Sequence, residues 1–505
     1  MSFSRTIAVI GGGAAGMMAA IAAGTGREGA DADGRNGLEE GDHAGRVGFA
    51  KTHVLLFEKN KYLGAKVLIS GGGRCNVTTG IFDVRKVLEN YPRGAKFLMS
   101  AMFRFPPEKV MEWFESRGVR MKIEEDLRVF PVSNNGKDVV GAMEKELARL
   151  RVEVVTGANV GEVQISNDKF LISNDGVASQ PVLKGEVRGK FLVRLKDGRD
   201  FEADAVIITT GGNAYSHTGS SGDGYAFAKN FGHTITPLSP SLSSFVLGET
   251  WRKKLAGVSF EKVGMTLRSG EGERTGADAH ERADGRAGAG VHAGAKALAD
   301  ARTGASRKAD AREFNRTGPV VFTHQGVSGP AIFALSSMAA RELYDAVKPI
   351  ELRVNFFPDE TREELSKRFQ KMSAEHGKKT LVNFLDMFLP KSLCEVILGV
   401  IQADPGMQTG RLPKTVREAL LRQMTGFPMR VTGRGAGEEF VTAGGVALDE
   451  VNPNTMESKK CPGLFFAGEI LDIDAFTGGF NLQGSWATGR LAGESAEGSG
   501  VKVAI

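Results

Sequence analysis

Cysteine is almost absent from this 505-residue chain: Cys75, Cys394 and Cys461 stand alone and far apart. No CxxC pair or His-rich partner pattern accompanies them. That excludes a disulfide framework and a conventional zinc site, so no metal is expected, and it fits a reducing compartment. Long apolar runs are missing too. The longest, Ile7 to Ala23, is broken by four glycines and lacks the charged lead-in and cleavage site of a signal peptide. No other segment is apolar enough to span a bilayer, so no membrane partner is expected and the expected location is the cytoplasm. Excess charge of one sign is small. A net charge of +5, from 65 Lys+Arg against 60 Asp+Glu, permits an anionic ligand or an RNA surface and argues for neither.

Glycine, by contrast, is abundant, with 66 residues against an average share of roughly 7%. Some of it forms a motif. Thr6 to Ile10 is a continuous apolar run of the kind shown by a strand buried on both faces, and it runs into Gly11-Gly12-Gly13-Ala14-Ala15-Gly16 and an Ala/Met-rich stretch. In this strand–turn–helix, Gly11 permits the tight turn, Gly13 lets backbone approach a pyrophosphate, and Gly16 lets helix pack on strand. The helix N-terminus offers free N–H groups to phosphate. The acid that closes the second strand is expected about 20 residues further on. Here the strand is His53 to Phe57 and the acid is Glu58, displaced by a solvated insertion over about 24–51. Glu39 and Glu40 are rivals for that role, but neither follows an apolar strand.

The string Lys66-Val-Leu-Ile-Ser-Gly-Gly-Gly-Arg-Cys-Asn-Val-Thr78 resembles the signature of the BaiN-like (YhiN-like) family of NAD(P)/FAD-dependent oxidoreductases, also labelled aminoacetone-oxidase-like. Further blocks agree in order: TTGGNAYSHTGSSGDGYAFAKNFG over 209–232, THQGVSGP over 323–330, and TAGGV, TMESK and FFAGEILDIDAFTGGFNLQGSWATG within 442–489. Two departures stand out. Ser216-His217 replaces a frequent Pro, leaving the turn there open, and the usual GRVFP string appears as Leu127-Arg128-Val129-Phe130-Pro131, one glycine short.

The resemblance implies an α/β fold: a Rossmann-like FAD-binding domain split by an inserted β-rich domain and a small helical domain. The expected boundaries are 1–240 for the first FAD-binding segment and 241–358 for the β-rich domain, with a low-complexity insertion at about 269–316. A helical cap over 359–425 and a return to β-rich and FAD-binding chain over 426–505 complete the arrangement. The 269–316 stretch, which carries the bystander histidines His280 and His292, has too little apolar surface to offset its chain entropy and is expected to be disordered or loosely helical.

The resemblance also implies a cofactor set: Gly11, Gly13, Ala14, Ala15, Gly16, Glu58, Lys59, Lys66, Arg74, Cys75, Asn76, Val160, Gly211, Gly212, Gly468, Glu469, Asp472, Asp474, Gly478, Gly479, Phe480 and Asn481. Arg74 is placed near pyrophosphate or flavin, Val160 at adenine through its backbone, and the acids after Leu464–Ala467 at ribityl hydroxyls. The helix from about Asn481 to Ala492 is expected to point its N-terminus at the flavin N1 and C2 carbonyl, where its dipole favours negative charge. Cys75 has no partner nearby and reads as a packed small side chain.

Redox chemistry follows from that cofactor. No second strand–GxGxxG–helix unit is present, so a dedicated NAD(P)H domain is not expected, and NAD(P)H is expected only as a transient reductant. The implied reaction is reduction of a conjugated C=C or similar acceptor. An RNA-associated flavoprotein forming dihydrouridine in ribosomal RNA, and a substrate-reduced amine-oxidase-type flavoenzyme, stay open. His324 is the candidate proton donor, because imidazole titrates near pH 6.5; His217 is a poorer second choice.

Overall fold

Five apolar runs become the strands of one parallel sheet: β1 (Arg5–Ile10), β2 (Thr52–Glu58), β3 (Glu153–Thr156), β4 (Ala205–Ile208) and β5 (Leu464–Phe466). A computed structural model describes residues 5–32, 52–166, 190–269, 312–344, 350–435 and 440–498. The strand order is β3-β2-β1-β4-β5, the doubly wound order of dinucleotide-binding sheets. Register is set with Ile7 opposite both Val54 and Ala205, and Val206 opposite Leu464. Ile7, Ala8, Val9 and all of β4 are fully buried, as parallel strands covered on both faces must be.

Helix α1 (Ala14–Ala32) follows β1, α2 (Asp223–Asn230) follows β4, and α3 (Phe480–Glu497) closes the chain after β5. The first and last helices pack with their backbones close together. A Cβ at Gly489 would lie 2.3 Å from the Ala15 carbonyl oxygen, and one at Gly493 2.2 Å from that of Ala19. Glycine at these positions thus welds the end of the chain to its beginning.

By contact density the chain forms two compact units. The first comprises 1–244, 336–341 and 435–505, and the second 245–335 and 342–434. Within the second, a closed six-stranded barrel runs in the order Phe245–Leu247, Gly326–Ser328, Arg312–Phe322, Ser259–Ser269, Ile350–Asn355 and Phe427–Arg434. Alternation sorts its side chains: Leu352, Val354, Met429 and Val431 are buried while Pro428, Arg430 and Thr432 face out. Helices Arg362–Glu375, Leu381–Leu385, Lys391–Val400 and Lys414–Gly426 belong to the same unit. Thr361 and Glu364 form a capping box at the first of them.

Two expectations need correction. Residues 24–32 are not insertion but the continuation of α1, because Gly24 packs against Leu150, with a Cβ there meeting its side chain at 3.3 Å. Residues 33–51, with Glu39 and Glu40, lie outside the described residues. Likewise Ser269 and Arg312–Arg316 are paired strand ends, Ser269 opposite Arg312 and Gly264 opposite Thr317. Backbone pairing holds these polar residues, so their composition gave no sign of it. The stretch 270–311, with His280 and His292, lies outside the described residues. No helix among the described residues is long and apolar enough to cross a membrane.

One buried carboxylate makes stability pH-dependent. Glu146 accepts from Arg149 (2.7 Å) and Arg117 (2.7 Å) with its side chain 6% exposed. The Arg149 hydrogen bond, with Arg117 beside it, outweighs desolvation and lowers its pKa to about 2 from 4.5. This contribution is complete above pH 4.5 and is lost as pH falls toward 2; it amounts to at most about 3 kcal/mol. Glu146→Gln is expected to melt lower than the parent at pH 7 and to lose part of the parent's acid sensitivity. A variant with an unchanged profile would contradict this assignment.

Candidate functional site

The glycine turn forms between β1 and α1 at the carboxyl edge of the sheet. Gly11 has φ 109° and donates to the Phe57 carbonyl at 2.8 Å. A Cβ on Gly16 would sit 1.8 Å from the Gly11 oxygen, so only glycine lets the helix begin there. Ala14 and Ala15 are buried behind it. Gly13 differs from both neighbours, because a Cβ there would meet nothing within 4 Å. The turn therefore leaves open space beside Gly13 at a helix N-terminus, the kind of place that receives phosphate.

Glu58 ends β2 beside this turn, 8% exposed. One of its oxygens accepts from the Gly12 N–H (2.7 Å) and the other from the Asn60 N–H (2.8 Å). Lys59 pairs with Asp223 at 2.8 Å and bonds Ser221. Val160 is buried at the head of strand Val160–Ile165, opposite Leu195.

The other strand ends contribute the remaining groups. After β4, Gly211 has φ 77°, and a Cβ on Gly212 would lie 2.5 Å from Thr442 Oγ1 and 2.9 Å from Glu469 Oε1. After β5, Gly468 abuts Ala15, while Glu469 accepts from Lys66 (2.7 Å) and from the Thr442 N–H (2.9 Å). Asp472 accepts from Arg341 through one oxygen at 3.0 Å, and its other oxygen is buried without a partner. Asp474 is different. Its carboxylate is fully buried, doubly bonded by Arg93, and also accepts from Ser241 (2.7 Å) and Ser337 (2.9 Å). Asp474 thus serves as an internal anchor, with both oxygens engaged by neighbouring side chains.

The Gly71–Gly73 loop is exposed, with left-handed φ at all three glycines. Arg74 turns away from it to bond Glu124 at 2.8 Å, with its guanidinium 3.8 Å from the centre of the Phe130 ring. Cys75 is buried and its thiol is pushed up to about 12 by desolvation, which suits packing and not redox chemistry. Asn76, with its amide oriented to satisfy both ends, donates to the Thr78 carbonyl at 3.0 Å and accepts from the Gly479 N–H at 2.9 Å. The loop is thereby fastened to the start of α3. Trp486 donates to the Val77 carbonyl and Gln483 bonds Thr78, two fasteners that sequence reading missed. Gly478 and Gly479 form the α3 entry, Phe480 accepts from Tyr91 through its carbonyl, and Asn481 bonds Ala475.

The two departures in sequence acquire a structural meaning. Leu127 adopts φ 63°, left-handed at the position of the missing glycine. Tyr215, just before the Pro-less Ser216–Thr218 turn, is left-handed as well.

The chain matches the family described as HI0933-like protein Rossmann domain over residues 43–495. It belongs to that family. The match takes in β2 to β5 and begins after the glycine turn, so the role of Gly11–Gly16 rests on its geometry. Among similar proteins, a 3-dehydro-bile acid delta(4,6)-reductase from Clostridium scindens is 29% identical, covering 97% of this chain and 98% of that one. A ribosomal RNA dihydrouridine synthase from Escherichia coli is 26% identical over 88% and 91%. Of solved structures, a 3-ketosteroid-delta4-(5alpha)-dehydrogenase from Rhodococcus jostii covers 98% of both chains at 14% identity, with a TM-score of 0.42. The HI0933-like protein is an FAD-dependent oxidoreductase. Its residues fit the cofactor on two counts, the open space at Gly13 and the unpartnered oxygen of Asp472.

His324 belongs to the second unit and is exposed in a two-residue turn, where Thr323 donates to the Gly326 carbonyl at 2.8 Å.

Proposed function

We propose that this HI0933-like flavoprotein reduces a carbon–carbon double bond conjugated with a carbonyl, using NAD(P)H as a transient reductant. The similarity that carries this reading is the near full-length match to the delta(4,6)-reductase. When bound, FAD supplies hydride transfer to the acceptor. Gly11 to Gly16 and the α1 N-terminus receive the pyrophosphate, Glu58 the ribose, and Val160 the adenine through its backbone. Lys59, Lys66, Gly211, Gly212, Gly468 and Glu469 line the same sheet edge, and the α3 N-terminus at Gly478–Asn481 favours negative charge near the flavin. Asn76 braces that helix start by accepting from the Gly479 N–H. His324 donates the proton taken up at the carbon next to the carbonyl.

The test supplies NADH or NADPH with a conjugated enone and follows the product by mass. The expected product is heavier by two hydrogens. His324→Ala should retain FAD while turning over about 100-fold more slowly. An acceptor returned unchanged under either nicotinamide would remove the proposal, and full turnover by the variant would remove His324. A second acceptor, uracil in ribosomal RNA, is favoured by the Escherichia coli relative. Unmodified ribosomal RNA in the same assay separates the two.

A further inference from the structure

Three polar side-chain atoms in the first unit are buried without a hydrogen-bond partner where β4 and β5 end: Thr210 Oγ1, Tyr225 Oη and Asp472 Oδ1. Tyr225 is 5% and Asp472 8% exposed. β4 and β5 are neighbours in the sheet, with Val206 opposite Leu464 and Ile208 opposite Phe466. The chain beyond each therefore emerges on the same edge, the edge at which open parallel sheets bind ligands. The entry of α2 closes over it: a Cβ on Gly224 would lie 2.0 Å from Thr210 Oγ1 and 3.0 Å from Ile470, two residues before Asp472. Tyr225 is the next residue of that helix.

Leaving buried polar atoms unpaired costs about 1–3 kcal/mol each. Two such groups of opposite kind, with the charge of Asp472 acting on the Tyr225 phenol, call for a bound partner. Asp472 is held in place by Arg341 through its other oxygen, so Oδ1 is a fixed acceptor. Burial, together with the charges of Glu469 and Asp472, pushes the Tyr225 phenol upward and keeps it protonated, a fixed donor. A hydroxyl satisfies a donor and an acceptor together.

We infer that Tyr225 is a cofactor-binding residue: with Asp472 it forms a subsite for one hydroxyl of the FAD sugar-alcohol chain, Tyr225 donating to that oxygen and Asp472 accepting from it. Thr210 offers its own hydroxyl beside them. This rests on the FAD assignment and is independent of the acceptor.

Tyr225→Phe removes the phenol oxygen and nothing else, so apoprotein stability and FAD affinity should part company. The apoprotein is expected to melt at the parent temperature or up to about 2 °C above it. FAD, titrated by quenching of its fluorescence, is expected to bind about tenfold more weakly. Asp472→Asn weakens FAD as well, and the double variant should lose less than the product of the two single losses, because both residues serve one hydroxyl. FAD affinity within twofold of the parent in Tyr225→Phe would overturn the inference, and so would an apoprotein destabilised as much as the holoprotein. If a substrate hydroxyl occupies the subsite instead, FAD affinity is unchanged and the inference fails.

Discussion

Gly13→Val should give a protein that melts like the parent but purifies without yellow colour. At Gly13 a Cβ would meet nothing within 4 Å, so the empty fold has room for a branched side chain. The same space is where a pyrophosphate must approach backbone N–H groups at the head of α1. A valine there blocks that approach, and FAD affinity should fall by at least about 100-fold, roughly 3 kcal/mol. Gly16→Val is the matched contrast. Its Cβ would lie 1.8 Å from the Gly11 oxygen and 2.6 Å from Thr209 Oγ1, so strand and helix must separate. That variant should lose FAD and several degrees of melting temperature together. Calorimetry of the apoproteins with flavin absorbance of the purified forms distinguishes the two. A yellow Gly13→Val protein would show that the turn is not the phosphate site.

Asp474→Ala should be among the most destabilising single changes in the first unit, by about 3–5 kcal/mol. The side chain it leaves behind, Arg93, is only 13% exposed and would face Ser337 with no countercharge. Replacing both ionic partners, Arg93→Met with Asp474→Leu, should cost less than Asp474→Ala alone, because the stranded charge is what is expensive. Chemical denaturation of the three proteins tests this. Equal losses in the double variant and in Asp474→Ala would mean that the pair acts through something other than charge burial.

These two cases mark where sequence reading works and where it stops. Gly11, Gly16 and Glu58 were legible because their roles are local: a strand end, a turn and a strand end, each announced by apolar runs such as Thr6–Ile10 and His53–Phe57. The cores of β4 and β5 were legible for the same reason. The pairing of Asp474 with Arg93 spans 381 residues, and no local pattern reveals a pairing at that distance. Lys66 with Glu469, 403 residues apart, is equally silent. Arg312–Arg316 lacked any strand pattern because backbone pairing to Leu267 and its neighbours holds it. Tyr225 was hidden differently. A tyrosine in an amphipathic helix looks like core, and only its unpaired oxygen separates it from one.

The account as a whole turns on a flavin that accepts electrons and passes them to a carbon–carbon double bond. Rapid mixing of the FAD-loaded protein with NADH or NADPH under anaerobic conditions should bleach the flavin band near 450 nm. A conjugated enone, or unmodified ribosomal RNA, added next should restore it with saturation of the double bond. A flavin that stays oxidised with both nicotinamides, or that once reduced is reoxidised by neither acceptor, would contradict the account.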